Sequence, residues 1–318
     1  MKEFSCPADI SSRCHEKRAG IHAWMTLFRL PNLPTAPGDA LAGAAMAAAS
    51  GGFVARPSSV AAAAASALFL YMYGLADNDI VGIAADRVSA PNRPLPSGDI
   101  SPGAARAARG VCWGLAFLSG ALVPLPPAWW LVSAFLLASI CAYNRLKKAW
   151  LMGLCRALSV VCGAAAVLPA SVSWRDWPIA PIAVMAAGWA LYIAAVTKLS
   201  EGEERPSEGL GNRRYILGLS ALAAAPACFF LPDVRLALLP CAGCLFTFVA
   251  WCAAVAPLWR AHEPDERRMA VGRTVGALMY LQVGFMLCMP SPMFLGAACA
   301  VWLAVRLVRR LAPDVSGS

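Results

Sequence analysis

Hydrophobic residues along this chain fall in continuous runs of about twenty, separated by short polar or proline-rich breaks. The alternation of apolar and polar residues that is typical of β-strands is absent. A helix of that length spans the hydrocarbon core of a bilayer. The pattern therefore predicts ten helical spans, at about 27–50, 58–85, 102–123, 127–146, 150–170, 178–200, 213–231, 235–257, 266–288 and 291–311.

The composition also indicates a membrane protein. Of its 318 residues, 59% are hydrophobic and only 14% are charged, and the mean hydropathy is +0.60. A water-soluble domain of this length needs more charged surface, so we expect an all-α polytopic membrane protein. The net charge of +9 does not indicate a nucleic-acid partner, because the cations alternate with the spans and suit lipid headgroups instead.

The distribution of cations predicts the topology. If the N-terminus is cytoplasmic, the outer loops contain only Arg56, Arg175 and Arg235. The remaining 24 of the 27 Lys and Arg residues (27 − 3) then lie on the inner side, as the positive-inside rule requires. We therefore expect a multi-pass protein of the cell (inner) membrane with both termini cytoplasmic. The predicted organisation is a tail at 1–24, which lacks the apolar core of a secretory signal, one transmembrane domain at 25–312 and a tail at 313–318.

Several of the spans are rich in small residues, and two of them serve as examples. DALAGAAMAAAS lies in the first span and VVCGAAAVLPAS in the fifth. Small side chains allow helix backbones to approach closely, so we expect both spans to pack against other helices.

An acidic cluster, DNDIVGIAAD, ends the second span. At 100° per residue, Asp79 and Asp86 lie within about 20° of one helix face, and they are roughly 10 Å apart along the axis. Each carboxylate could then hold one Mg²⁺, with a polyphosphate between the ions, while Asn78 and Asp77 ligate or orient. The alternative is that these residues are solvated or cap the helix end, with Asp86 and Arg87 as an interfacial pair.

Cations lie near this cluster in the predicted topology. YNRLKK (143–148) ends the fourth span on the same side, where Lys147 and Lys148 could bind an anion or could simply anchor the span by the positive-inside rule. Arg156 lies inside the fifth span, and a charge there needs a partner. Asp39, inside the first span, could pair with Arg29 or Arg156, or line a polar pocket. Pro31, Pro34 and Pro37 predict a broken entry to the first span.

These segments resemble the UbiA family of membrane prenyltransferases. The similarity is strongest in NDIVGIAADRVSAPNRPLPSG, which matches the family's first acidic motif and the turn after it, and extends to LFRLPNLPTAPGDALAG and AYNRLKKAWLMGLCRALSVVCGA. It suggests an EboC-like branch within the family. The resemblance implies a bundle of nine helices around a cavity that is open to lipid, to which this chain would add a tenth helix. It also implies an Mg²⁺-dependent reaction, in which a prenyl group is transferred from its diphosphate to an aromatic or other nucleophilic acceptor.

The resemblance also implies a set of site residues. Asn78, Asp79 and Asp86 would be the metal and diphosphate ligands and would carry the catalysis. A second acidic stretch, KLSEGEERPSEG (198–209), ends the sixth span and would complete the metal site. From that stretch, the predicted metal ligands are Glu201, Glu204 and Glu208. The predicted substrate-binding residues are Arg29, Asn32, Asp39, Lys147, Lys148, Arg156 and Lys198.

Two departures from the family pattern keep a second hypothesis open. The middle Asp of the first motif is Gly82, and the second motif contains no Asp. The chain is therefore either a prenyltransferase or a catalytically degenerate relative that binds or carries an isoprenoid or another metabolite. A generic transporter fits less well, because most of the charges lie at span ends rather than at the bilayer midplane.

Overall fold

The computed structural model describes residues 20–169, 171, 174–200, 238–260, 264–287 and 291–311. Within these ranges the chain forms helices and no strand, which confirms the predicted all-α class. The long helices are α1 (Thr35–Gly51), α2 (Pro57–Ser89), α3 (Pro102–Ala121), α4 (Pro127–Leu146), α5 (Ala149–Val167), α6 (Ile179–Ser200), α7 (Leu238–Val255), α8 (Pro264–Leu287) and α9 (Pro292–Leu311).

Five segments in the described part of the chain are long and apolar enough to cross a membrane: Pro57–Ser89, Pro127–Leu146, Ala149–Val167, Ile179–Ser200 and Met269–Leu287. Large apolar side chains such as Trp113 on α3 and Phe135 on α4 are exposed on the outside of the bundle. An exposed apolar surface of this kind suits lipid rather than water. The chain is an integral membrane protein. The predicted span at 213–231 lies outside the described residues, so the count of ten spans stays a prediction.

The entry to the first span differs from the predicted continuous helix over 27–50. Residues 20–27 are helical, a single 3₁₀ turn covers Leu30–Asn32, and α1 begins at Thr35. Pro31 and Pro34 lack the backbone N–H that a continuous helix would need there. The broken entry expected from the prolines is thus confirmed, and the predicted start of the span is wrong by eight residues (35 − 27).

Close contact between α1 and α5 organises the centre of the bundle. A Cβ on Gly163 would overlap the carbonyl of Ala40, and a Cβ on Gly43 would overlap the carbonyl of Val160. The two helices therefore touch backbone to backbone, as the small-residue runs predict. On its other side α5 packs on α6, where a Cβ on Gly153 would overlap the carbonyl of Ala190.

A large apolar core joins α1, α5 and α6 to α7, α8 and α9. Trp189 and Tyr192 of α6 and Trp251 of α7 are fully buried in it. The Tyr192 hydroxyl donates to the backbone carbonyl of Thr274 on α8 at 2.7 Å, so this buried polar group is satisfied. The core holds α1 and α5 in place beside α2 and α4, which form the remaining walls of the site.

Candidate functional site

A cavity of about 170 Å³ lies among α1, α2, α4 and α5. One end is polar, with Arg29, Asn78 and Arg93 in the lining. The remaining walls are largely apolar and aromatic. Their lining residues include Ala67, Leu70, Tyr71, Leu136, Ile140, Tyr143 and Met152. A mostly apolar pocket with a few convergent polar groups is the usual form of a small-molecule site.

The acidic cluster flanks the polar end of this cavity. Asn78 lines it, and the Asn78 amide donates to Asp79 Oδ1 at 3.1 Å. The Asn78 side-chain oxygen in turn accepts a hydrogen bond from the Lys147 ammonium at the end of α4. Asp79 is only 7% exposed, and no cation of the described residues lies within ion-pairing distance of it. A nearly buried carboxylate in this state requires a counter-charge.

Asp86 lies about two turns further along α2 and pairs with Arg93. The Asp86 Oδ2 and Arg93 Nη1 atoms are 2.9 Å apart. Arg93 precedes the single-turn helix Pro94–Ser97, and the left-handed Gly98 (φ 88°) ends that turn. The proline-rich turn thus carries a cation back to the acidic helix. The Asp86–Arg87 pair of the alternative interpretation is not formed, because Asp86 pairs with Arg93 and the Arg87 side chain is exposed.

Asp77 has a structural role instead of facing the cavity. Its two carboxylate oxygens accept hydrogen bonds from Arg109 on α3 at 2.8 Å and from Asn144 on α4 at 2.9 Å. Asp77 is about 200° around the helix from Asp79, so the two side chains leave α2 on opposite sides. The expectation that Asp77 helps to hold a ligand is therefore not supported by its contacts, which tie α2 to its neighbours.

Arg29 and Lys147 have an unusual backbone conformation. Among the described non-glycine residues they are the two with positive φ, at 44° and 51°. A left-handed backbone costs free energy for an L-residue other than glycine, and such residues occur at turns, at helix ends and at functional sites. Arg29 lines the polar end of the cavity and Lys147 contacts Asn78 beside it. The local folding of both segments thus directs cations to one place.

The surroundings of Lys147 change its acidity. Partial withdrawal of the ammonium from water lowers the pKa of Lys147, and the Arg29 charge lowers it further. Asp79 and Asp86 oppose this shift, while Arg93 adds to it. The Lys147 pKa therefore lies below that of an ordinary lysine, although much of the side chain is exposed.

This shift predicts a pH dependence for anion binding. As the pH rises through the lowered pKa, Lys147 loses its charge, so we expect the affinity of this end of the cavity for an anion to fall. Lys147→Arg keeps the charge, so we expect its affinity to persist to higher pH. The measurement is the Kd for inorganic pyrophosphate between about pH 7 and 10. Lys148→Arg, at an exposed position in the same loop, is the control. If the affinity falls at the same pH in both variants and in the wild type, the prediction is wrong.

A buried polar network forms another wall of the cavity. Arg156 of α5 pairs with Asp39 of α1 at 2.8 Å and donates to Thr35 Oγ1 at 3.1 Å. Gln282 of α8 donates to Asp39 Oδ1 at 2.6 Å. A Cβ on Gly38 would overlap the Gln282 amide, so the glycine allows this approach. The partner required by the charge of Arg156 is therefore Asp39, and the pair also lines the cavity.

Several predicted substrate-binding residues do not line the cavity. Lys148 is exposed at the start of α5, and Lys198 is exposed near the end of α6. Asn32 is buried in the turn before α1, where its backbone carbonyl accepts from Thr35. Glu201, Glu204 and Glu208 lie outside the described residues. Their predicted roles stay predictions.

The described residues contain no group of three or more His, Cys, Asp or Glu side chains that could hold a metal. Of the predicted metal ligands, Asn78 and Asp79 lie together beside the cavity, and Asp86 lies two helical turns away. Asp79 and Asp86 themselves are not part of the cavity lining among the described residues.

Sequence reasoning missed four residues of this site. Arg93 is part of the motif that carries the family resemblance, and its position seven residues after Asp86 was the signal for it. Tyr71 lies two helical turns before Asn78 on α2, and Asn144 belongs to the YNRLKK segment, in which only the lysines were considered for binding. Gln282 is 243 residues from Asp39, and nothing in the local sequence indicates that contact.

Comparisons with known proteins agree with the fold. The model of the UbiA prenyltransferase family matches residues 40–273. The apo structure of a UbiA homologue from Aeropyrum pernix K1 is 20% identical, with a TM-score of 0.57, and the match covers 81% of this chain and 96% of that one.

A second solved structure comes from work on the biosynthesis of digeranylgeranylglyceryl phosphate synthase in membranes. It is 16% identical, with a TM-score of 0.53 and coverage of 88% and 99%. The sequence has no significant match among curated proteins. The EboC-like branch stays a prediction. Since the family model matches well over half of the sequence, the chain belongs to the UbiA prenyltransferase family.

Proposed function

We propose that the chain is an integral-membrane prenyltransferase that moves a prenyl group from a prenyl diphosphate to a small nucleophilic acceptor. The observation that carries this proposal is the polar end of the cavity, where Arg29 and Arg93 line the wall with Asn78, and where Lys147 and Asp79 both hydrogen-bond to Asn78. This arrangement of cations and hard oxygen donors at the mouth of an apolar chamber suits a diphosphate with a hydrocarbon tail. The cation-rich ends of α2 and α4 favour placing this mouth at the cytoplasmic surface.

The residues present fit Mg²⁺ as the cofactor. Asp79 is nearly buried without a cationic partner among the described residues, and Asn78 and Asp86 offer further oxygen ligands. Carboxylate and amide oxygens together with phosphate oxygens are the ligands that Mg²⁺ takes in proteins. When bound, Mg²⁺ would neutralise part of the diphosphate charge.

The chain's own residues would promote ionisation of the donor. As the bond between C1 of the prenyl group and the diphosphate oxygen breaks, its electron pair leaves with the diphosphate. Lys147, Arg29 and Arg93 donate hydrogen bonds to the oxygens on which this charge develops. The apolar walls, with Tyr71 and Tyr143 in the lining, exclude water from the chamber in which the allylic cation forms. The acceptor oxygen or carbon then bonds to C1 and releases its proton to solvent.

Release of diphosphate by the purified chain in lipid nanodiscs tests this function. We expect release from prenyl diphosphates when a membrane lipid extract supplies acceptors, with loss of at least about 100-fold on chelation of Mg²⁺ or in Asp86→Asn. Asp99→Asn is the matched control, because Asp99 is an exposed carboxylate of the same surface that bonds to Ser97. We expect it to retain wild-type activity.

The alternative, a non-catalytic carrier, has a different signature. The Asp86–Arg93 pair favours the carrier, because Arg93 already neutralises a carboxylate that is predicted to bind the metal. A carrier would bind a prenyl chain without releasing diphosphate, and Asp86→Asn would leave that binding unchanged. Folded protein with this behaviour across donor lengths would overturn the transferase proposal.

A further inference from the structure

The cavity has two polar layers at different depths. Tyr71 lies seven residues before Asn78 on α2, which is about 10 Å deeper along the helix. Arg156 lies seven residues after the first residue of α5, at a similar depth. The pair that Arg156 forms with Asp39 therefore lies beyond the cationic mouth, where the first carbons of a bound prenyl chain would be.

The deeper layer is electrically neutral, in contrast to the mouth. The Arg156 and Asp39 side chains are 7% and 0% exposed, and their charges are paired at 2.8 Å. The second oxygen of Asp39 accepts from Gln282 at 2.6 Å. The carboxylate is thus satisfied on both oxygens, and it does not accept a further donor readily.

Arg156 keeps donors that can face the cavity. The Nη1 atom donates to Asp39 and the Nη2 atom donates to Thr35. A guanidinium carries several more N–H groups in addition to these two. The guanidinium carbon lies 5.3 Å from the centre of the Tyr71 ring. The layer therefore offers hydrogen-bond donors and an aromatic face, but no uncompensated positive charge.

This electrostatic balance selects the kind of acceptor. A carboxylate in the acceptor would bring a second anion to a guanidinium that Asp39 already neutralises, and it would leave one negative charge unpaired in a buried chamber. A neutral hydroxyl can accept a hydrogen bond from Arg156 without that penalty.

We propose that Asp39 and Arg156 form an acceptor subsite that selects a neutral hydroxyl compound, a phenol or an alcohol, over a carboxylate-bearing one. The inference rests on the proposed transferase function, because the acceptor is the second substrate of that reaction. In it, Asp39 is the specificity-determining residue, since its charge decides whether Arg156 is available to an anion.

A matched pair of phenols tests the proposal: para-hydroxybenzamide, which is neutral, and para-hydroxybenzoate, which is an anion of nearly the same size. Binding to the full chain in nanodiscs is measured by tryptophan fluorescence, and diphosphate release from a prenyl diphosphate is measured in the same preparation. We expect the wild type to bind the amide at least 10-fold more tightly. In Asp39→Asn, where Arg156 is unpaired, we expect the preference to reverse towards the benzoate.

A second variant separates specificity from folding. In the double variant Asp39→Asn and Arg156→Gln neither side chain is charged. Because Arg156 is lost as the donor, we expect this variant to bind the amide more weakly than the wild type does and not to gain binding of the benzoate. An equal loss of both ligands in both variants would indicate a merely structural pair and would overturn the proposal. If Asp39→Asn fails to fold, the ranking in the wild type decides.

The two proposals fail in different ways. A wild type that releases diphosphate but binds the benzoate at least as tightly as the amide overturns the acceptor inference and leaves the transferase function intact. A wild type that neither binds nor cleaves prenyl diphosphates overturns both.

Discussion

Asp79→Asn is expected to lower the release of diphosphate from a prenyl diphosphate by about 100- to 1,000-fold in folded protein. Asp79 is 7% exposed, and its described hydrogen-bond partner is the neutral amide of Asn78. The substitution keeps the size of the side chain and removes only its charge. If the carboxylate holds Mg²⁺ for the diphosphate, the loss falls on turnover, and a large excess of Mg²⁺ restores part of it.

Stability separates this result from a folding defect. Asp79 is buried without an ion pair in the described part of the chain, so removing its charge should leave the thermal midpoint unchanged or raise it. Asp77→Asn provides the contrast, because the buried Asp77 carboxylate pairs with the partly exposed Arg109 and losing one partner of such a pair is destabilising. Asp79→Asn with normal turnover, or with a thermal midpoint as low as that of Asp77→Asn, would contradict the assignment of Asp79 to the metal.

The acidic cluster illustrates how far helix geometry carries a prediction from sequence. Asp77 and Asp79 are two residues apart, so they project from opposite sides of α2, and this much follows from 100° per residue. Periodicity does not reveal which side faces the cavity. That depends on Arg109 and Asn144, which come from other helices and take the Asp77 carboxylate.

The charged residues inside spans show the same limit. A buried Arg156 must have a partner, and the sequence leaves open whether Asp39 pairs with Arg29 or with Arg156. Choosing between them requires the α1–α5 contact, since Arg29 lies in the turn before α1 and faces the mouth of the cavity. The small residues of α1 and α5 predicted close packing, but nothing in either run states that the two helices pack on each other.

Lys147 and Lys148 are adjacent and chemically alike, and sequence reasoning could not separate them. The left-handed backbone of Lys147 ends α4 and turns its side chain towards Asn78, while Lys148 begins the approach to α5 in an extended conformation. A difference of one residue in a turn thus decides which cation joins the site. Turn geometry of this kind depends on the two helices that it connects.

Gly163→Ala is expected to destabilise the protein by about 1–3 kcal/mol, although alanine is the better helix former. The added methyl group would overlap the carbonyl of Ala40, a backbone atom that cannot move without displacing α1. Gly110→Ala on α3 is the matched control, because a Cβ there meets nothing within 4 Å. It should be neutral or stabilising by up to about 1 kcal/mol. Thermal midpoints of both variants in one detergent provide the measurement, and equal midpoints would contradict the packing.

The same substitution connects the fold to the site. Asp39 precedes Ala40 directly, and Arg156 lies two turns before Gly163 on the opposing helix, so pushing α1 away from α5 lengthens the 2.8 Å ion pair between them. We therefore expect folded Gly163→Ala protein to weaken discrimination between neutral and anionic acceptors, in the direction of Asp39→Asn, while diphosphate affinity at the mouth changes little. A variant that loses donor and acceptor binding by the same factor would show instead that α1 and α5 move as one unit. In that case the small-residue contact would set stability alone.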